Sequence, residues 1–450
     1  MLQLPFDIVR AIYDSLEPVD AHRALPNLLV VSKGFYAVFS PELYRRIAIT
    51  TTDARIARLV KTLQKKTHLK EKVWGLTVRL SSFYAPPTTF RRIFNPVEPL
   101  EQFARLVATG QLPNLRCLAF VGERGYHSFT EWTRLSQPVR SLFFDMRCLK
   151  TIRSVRLDYI EDLDPGMVWG RDGYLALDEF RVSYLKFARE PFTQPPIITA
   201  PQPGQPHLVK TLTIHATWTL KFNPMSLGHL QRFSFDYSQG SKQSTMCDAY
   251  AIVDACKGTL REVHIRVLPP KRHTISYCFG GGPLPTPESV PVLRLDLTRH
   301  SKLHTVVIAS TRHPPASPGD RLKSYAQDAV EEELSAVEMC LLHVDLPPAL
   351  SMLRIRFHLL DYWDSEGQGI YDLFSEWLCL PRFETLHRMA MSLKGGRVQQ
   401  LEVGITPILP LKISCAELEE LQRRVNGHSA QDLGELGWIS FYLDDDSGPL

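Results

Sequence analysis

Leu260-Arg261-Glu262-Val263-His264-Ile265-Arg266-Val267 places apolar side chains at Leu260, Val263 and Ile265, with charged or polar ones between them. In an extended chain successive side chains point to opposite faces, so Val263 and Ile265 share one face while His264 and Arg266 share the other. The same frame, apolar-x-x-apolar-x-apolar, stands at Val73/Leu76/Val78, Leu115/Leu118/Phe120, Ile152/Val155/Leu157 and Leu177/Phe180/Val182. It returns at Val209/Leu212/Ile214, Leu230/Phe233/Phe235, Leu303/Val306/Ile308 and Leu350/Leu353/Ile355. Each copy predicts one short strand with a single apolar face.

The frame resembles the Leu-x-x-Leu-x-Leu core of the leucine-rich repeat, in degenerate form and at irregular spacing. One copy cannot bury its apolar face alone, and stacking on neighbours makes a continuous core. The resemblance implies an α/β fold: an irregular leucine-rich-repeat-like solenoid, or horseshoe, with parallel strands on its concave face. Helical patterns fill several gaps. Asp53 is a candidate cap for a basic amphipathic helix with Ile56, Leu59, Val60 and Leu63 inside and Arg58, Lys61, Lys65 and Lys66 outside. Leu322, Val330, Leu334, Val337 and Leu341 share a face after Asp320, residues 369–379 read as a further helix, and Ser414-x-x-Glu417 is a capping box for one ending at Asn426-Gly427. Residues 191–206, 269–291 and 311–319 are rich in Pro, Gly or Ser and read as loop insertions. Leu293, Leu295 and Leu297 suggest an extra strand without an evident place. Trp438–Leu443 reads as a terminal strand followed by the acidic Asp444-Asp445-Asp446.

Within the frame, the residue between the second and third apolar positions and the one two further on belong to the face away from the core. Those positions hold Thr77 and Arg79, Arg156 and Asp158, Arg181, His215, His264 and Arg266, and Arg354 and Arg356. Strands stacked at about 4.8 Å would bring several guanidinium groups onto one surface. Arg79, Arg156, Arg181, Arg266, Arg354 and Arg356 are therefore candidate contacts for a protein substrate that is acidic or phosphorylated, since arginine forks match carboxylate and phosphate oxygens. The alternative is arginine that merely solvates half-buried strands with its stem packed and its head in water.

The N-terminal residues carry a second pattern. Pro5 suits a first helical turn and Asp7 meets the positive end of its dipole. Ile8, Ile12 and Leu16 fall on one face before Glu17-Pro18 ends the helix. Pro26 opens a longer helix with Leu28, Val31, Phe35 and Val38 aligned, closed by Ser40-Pro41. The run Leu4-Pro5…Ile8…Ile12…Leu16…Val31-Ser32-Lys33-x-Phe35-Tyr36…Leu43-Tyr44 resembles the F-box of fungal-type F-box proteins, in which irregular leucine-rich repeats follow the box. The resemblance implies a substrate-recognition subunit of an SCF-type cullin-RING ubiquitin ligase. It carries adaptor contacts onto Leu4, Pro5, Ile8, Leu29, Val31 and Phe35, a few apolar anchors in a helix-in-groove association. The competing expectation is that these helices only cap the first repeat, within a repeat-built interaction scaffold without a ligase link. The domain reading is then 1–50 for the helical module, 51–72 for a linker or capping helix, 73–410 for the repeats and 411–450 for a C-terminal helix and cap.

Composition is that of a soluble folded protein. The chain has 450 residues, 44% hydrophobic and 22% charged, with net charge +4. That balance gives no footprint for nucleic acid. No apolar run approaches the roughly 20 residues of a membrane span, and Asp7, Arg10, Asp14 and Glu17 interrupt any secretory core. The eight cysteines form no C-x-x-C pair, which points to reduced thiols and a cytoplasmic or nuclear protein. Gly427-His428-Ser429-Ala430-Gln431 lacks the second glycine of a nucleophile elbow, and Gly280–Gly282 lacks the Lys-Ser/Thr of a phosphate loop. The histidines show no metal-binding spacing, so neither metal nor cofactor is expected. The basic stretch Lys61–Lys72 reads as a solvated face, because no aromatics interleave for stacking.

Overall fold

The computed structural model describes residues 42–51, 55–80, 97–122, 130–132, 151–163, 177–187, 209–215, 227–238, 243–268, 294–310, 335–347, 350–359, 398–407 and 439–443. It divides into two compact units, Met1–His207 and Leu208–Leu450. Both are mixed α/β and dominated by parallel sheet.

The first unit runs β1 (Arg46–Thr50), α1 (Arg55–Lys65), α2 (Thr67–Lys70), β2 (Gly75–Leu80), α3 (Val97–Ala108), β3 (Cys117–Gly122), β4 (Thr130–Glu131), β5 (Ser154–Leu163) and β6 (Glu179–Phe187). Its strands lie in the order β1-β2-β3-β5-β6, all parallel, with β4 beside the end of β5. The second unit holds β7 (Thr211–His215), β8 (Arg232–Ser238), α4 (Gln243–Ala255), β9 (Glu262–Leu268), β10 (Leu295–Asp296), β11 (Thr305–Ser310), β12 (Val344–Asp345), β13 (Leu350–Leu359), β14 (Val398–Pro407) and β15 (Ile439–Leu443). Here the order is β7-β8-β9-β11-β13-β14-β15, again parallel, with β10 and β12 as a separate two-stranded pair.

Every one of the nine frames read from the sequence forms a strand, and within each unit consecutive frames align residue for residue. Leu118 lies opposite Val155, and Val263 opposite Val306. In each unit the apolar members line a buried face, with Leu76, Val78, Leu118 and Phe120 in the first and Phe233, Phe235, Leu353 and Ile355 in the second. Most alternate members are half-exposed or exposed, as Thr77, Arg79, Arg156, Arg181 and His264 are, while Asp158, Ser183, His215 and Val307 are buried. Backbone amides join the copies just ahead of each strand. The carbonyl of Trp74 accepts from the N–H groups of Arg116 (2.8 Å) and Cys117 (3.1 Å), and that of Arg116 from Arg153 (2.7 Å) and Ser154 (3.0 Å). In the second unit Lys210, Gln231 and Arg261 repeat the arrangement toward Gln231/Arg232, Arg261/Glu262 and His304/Thr305.

Helices fill the crossovers between strands. α1 buries Ile56, Val60 and Leu63, and α3, its neighbour, buries Leu100, Phe103, Ala104, Leu106 and Val107. α3 ends at Gly110, whose φ of 71° is the left-handed conformation that closes a helix without a Cβ penalty. Gly122 has a different constraint, because a Cβ there would meet the Tyr159 carbonyl oxygen at 2.0 Å. Tyr159 and Tyr184 take left-handed φ values of 56° and 52°, and their rings stack at 4.7 Å. The register between β5 and β6 shifts just beyond them, between Ile160 and Leu163.

Two boundaries differ from the sequence reading. Arg46–Thr50, assigned with the helical module, is a strand paired to β2, because Ile47 and Ile49 alternate with Arg46, Ala48 and Thr50. The helix of 51–72 is consequently the crossover from β1 to β2 rather than a linker. Within 411–450, Ile439–Leu443 adds a parallel strand to β14, matching the terminal strand expected there. The strand suspected around Leu295 is β10, which pairs only with β12. Of the helix expected from Asp320 through Leu341, residues 335–342 are helical, and its earlier part lies outside the described residues. The helices expected at 369–379 and after Ser414, and the three loop insertions, lie outside the described residues.

Phe233 is fully buried and stacks on Phe235 with ring centroids 5.1 Å apart. Phe233→Ala should lower stability by about 3–5 kcal/mol. Ser234→Ala, on the opposite face of the same strand, should change it by less than about 0.5 kcal/mol. Urea denaturation of both variants measures the contrast, and similar midpoints would contradict this assignment of faces.

Candidate interaction face

The six arginines singled out from the sequence all sit on the sheet face away from the apolar core, three in each unit. In the first unit Arg156 and Arg181 are register partners on β5 and β6, while exposed Arg79 stands on β2. In the second unit Arg266 and Arg356 occupy one row, separated by Ala309 of β11. Arg354 lies in the adjoining row, which also holds His264 and Val307. The adaptor candidates Leu4, Pro5, Ile8, Leu29, Val31 and Phe35 fall outside the described residues.

Parity alone did not reveal how much acid shares this face. Arg266 grips Asp236 with two bonds, Nε–Oδ1 at 2.5 Å and a terminal nitrogen to Oδ2 at 2.7 Å. His215 Nδ1 reaches the same carboxylate at 2.8 Å, so one aspartate ties β7, β8 and β9 together. A parallel group lies beside it: Arg232 Nε donates to Glu262 Oε2 at 2.6 Å, and His264 Nε2 meets Glu262 Oε1 at 2.5 Å. Arg354 binds Glu402 through Nε at 2.7 Å and a terminal nitrogen at 2.6 Å. In the first unit Arg156 pairs with Asp158, a carboxylate that is only 1% exposed.

These carboxylates were legible only in part. Asp158 and Asp236 occupy the second outward position of their frames. Glu402 stands at the first outward position of a further frame, Val398/Leu401/Val403. Which arginine each would meet depends on inter-strand register, and that is not written in any single strand.

The pairing shifts the acids strongly. Burial would raise the Asp236 carboxyl, but the hydrogen bond and charge of His215, followed by those of Arg266, outweigh it and hold the group at about 2. Burial likewise opposes ionisation of Glu262, which His264 and then Arg232 hold at about 2. The surface is thus a ladder of alternating charges, largely neutralised from within. It can present oriented charge pairs to a protein surface of complementary pattern. Among the described residues no group of three or more His, Cys, Asp or Glu is placed to hold a metal ion. Cys256 and Cys340 are buried free thiols, each pushed by burial to about 12. No helix among the described residues is long and apolar enough to cross a membrane.

No family model, curated protein or solved structure matches this chain.

Both acids titrate lower in the folded chain than in the unfolded one, where carboxyls ionise near about 4. Their stabilisation is therefore complete above about pH 5 and is lost as pH falls through about 4 toward about 2. Asp236→Asn with Glu262→Gln should lower neutral-pH stability by about 1–3 kcal/mol per site and flatten the acid limb. Urea midpoints measured from pH 7 to pH 3 test this, and an acid limb as steep as that of the wild type would contradict it.

Proposed function

We propose that the chain is the substrate-recognition subunit of an SCF-type cullin-RING ubiquitin ligase. In this reading the N-terminal module docks the adaptor through Leu4, Pro5, Ile8, Leu29, Val31 and Phe35, and the repeats form a leucine-rich-repeat-like horseshoe. The outward strand face, with Arg79, Arg156, Arg181, Arg266, Arg354 and Arg356, engages the protein to be ubiquitylated and sent for proteasomal degradation. Ubiquitin transfer belongs to partner subunits, so this chain needs neither a catalytic residue nor a cofactor, and it would work in the cytoplasm or nucleus.

The observation that carries the reading is the parallel sheet built from one repeated frame, with one face buried and the other polar and open. Such a sheet offers many outward side chains on a rigid backbone, which suits protein recognition. β1 begins at Arg46, after the F-box-like run read from the sequence. The charge ladder refines what the target must look like. A protein bearing both signs can exchange with the pairs already present, whereas a purely acidic one must displace Asp236, Glu262 and Glu402 from their arginines.

Adaptor binding is the direct test. The purified chain should bind the purified adaptor subunit, and Ile8→Asp with Val31→Asp should weaken that binding by at least about tenfold. If a folded wild-type chain does not bind, the N-terminal helices are a cap and the protein is an interaction scaffold without a ligase link.

A further inference from the structure

On the strand face Arg156, Arg266 and Arg354 pair with carboxylates, whereas Arg58, Lys61 and Lys65 on helix α1 have no such pair among the described residues. Between Arg55 and Lys72 the chain carries seven lysines and arginines against one acid, Glu71, a net of +6 in a chain whose total is +4. The rest of the protein is therefore net negative by two charges. Within α1 no acid occurs at all. At 100° per residue Arg58, Lys61 and Lys65 fall on one stripe, opposite the buried Ile56, Val60 and Leu63. All three are exposed and carry no ion pair among the described residues, as is also true of Lys72. The neighbouring helix α3 does not neutralise them: its Glu101 is committed to Arg105 at 2.5 Å, and Glu98 bonds Gln102 at 3.4 Å.

We propose that this outer face of α1 docks a short acidic segment of a protein partner. The stripe from Arg58 to Lys65 covers about 10 Å at 1.5 Å per residue. An extended acidic peptide of about three residues, at 3.3 Å each, spans the same length. Duplex DNA fits less well: it would run past the stripe onto a protein that is otherwise net negative, and no aromatic side chain of α1 is placed to stack on bases. The apolar side of the helix is spent on the protein core, so the stripe acts through charge and not by insertion into a lipid surface. This surface is separate from the strand face, and the inference does not rest on the ligase reading.

The test uses the full chain and a fluorescent eight-residue peptide of alternating Asp and Glu. Anisotropy should show binding that weakens as salt rises from 20 to 300 mM, since the Debye length shrinks across that range. Arg58→Glu, Lys61→Glu and Lys65→Glu together should weaken it by about ten- to a hundredfold, with the circular dichroism spectrum unchanged. A control with the same change in net charge, Arg261→Glu, Arg299→Glu and Lys302→Glu, should leave it within about twofold. Three outcomes overturn the proposal: no binding to the wild type at 20 mM salt, equal loss in both triple variants, or tighter binding of a 12-base-pair duplex or of phosphatidylserine vesicles than of the peptide.

Discussion

A strand with one apolar edge cannot exist alone in water, and every other feature of this chain follows from that requirement. Leu212, Phe233, Val263, Val306 and Leu353 are each buried because the next copy lies alongside in parallel register. Parallel pairing in turn demands a crossover between copies, and α1 and α3 supply two of them with apolar faces of their own. The opposite face then has no partner and is free to carry charge. Core, crossovers and polar surface are one solution to one burial problem.

How charge is handled differs between the two kinds of surface. On the strands side chains project at fixed spacing from neighbouring backbones, so an acid such as Asp236 falls within reach of His215 on one side and Arg266 on the other. On the first crossover helix the nearest positions along the stripe are cations of like sign, held apart by a rigid backbone. The strand face therefore comes close to internal neutrality, while the helix retains its field. Arginine content alone would have ranked these surfaces in the reverse order.

Much of this architecture was legible in the residues. Period-two alternation after a leading apolar residue identified nine strands, because that pattern is the direct image of half-burial. The same frame also stands at Tyr44/Ile47/Ile49, where it abuts the helical pattern before it, and at Val398/Leu401/Val403. β4, β10 and β12 span two residues each, too few to display any period. α3 was legible in principle from Leu100, Phe103, Ala104 and Val107. α4 was harder, since Gln243–Ala255 mixes small and polar residues. For the interaction face, parity told which side each arginine occupies but not which acid it meets. The deciding information is the alignment of one strand on the next, a property of pairs of segments.

The contacts that join successive copies ahead of each strand are made by a peptide carbonyl and two peptide amides. Trp74 and Gln231 occupy places in this chain of contacts equivalent to those of Arg116, Arg153, Lys210 and Arg261, and in every case the peptide group, not the side chain, makes the contact. Selection can therefore hold the joint intact while exerting almost no pressure on which amino acid stands there. Only the alternation of apolar and polar character must be inherited. Lineages built this way can drift far apart in sequence while keeping their geometry, and kinship among them is better sought in the spacing of apolar residues than in the identity of any one.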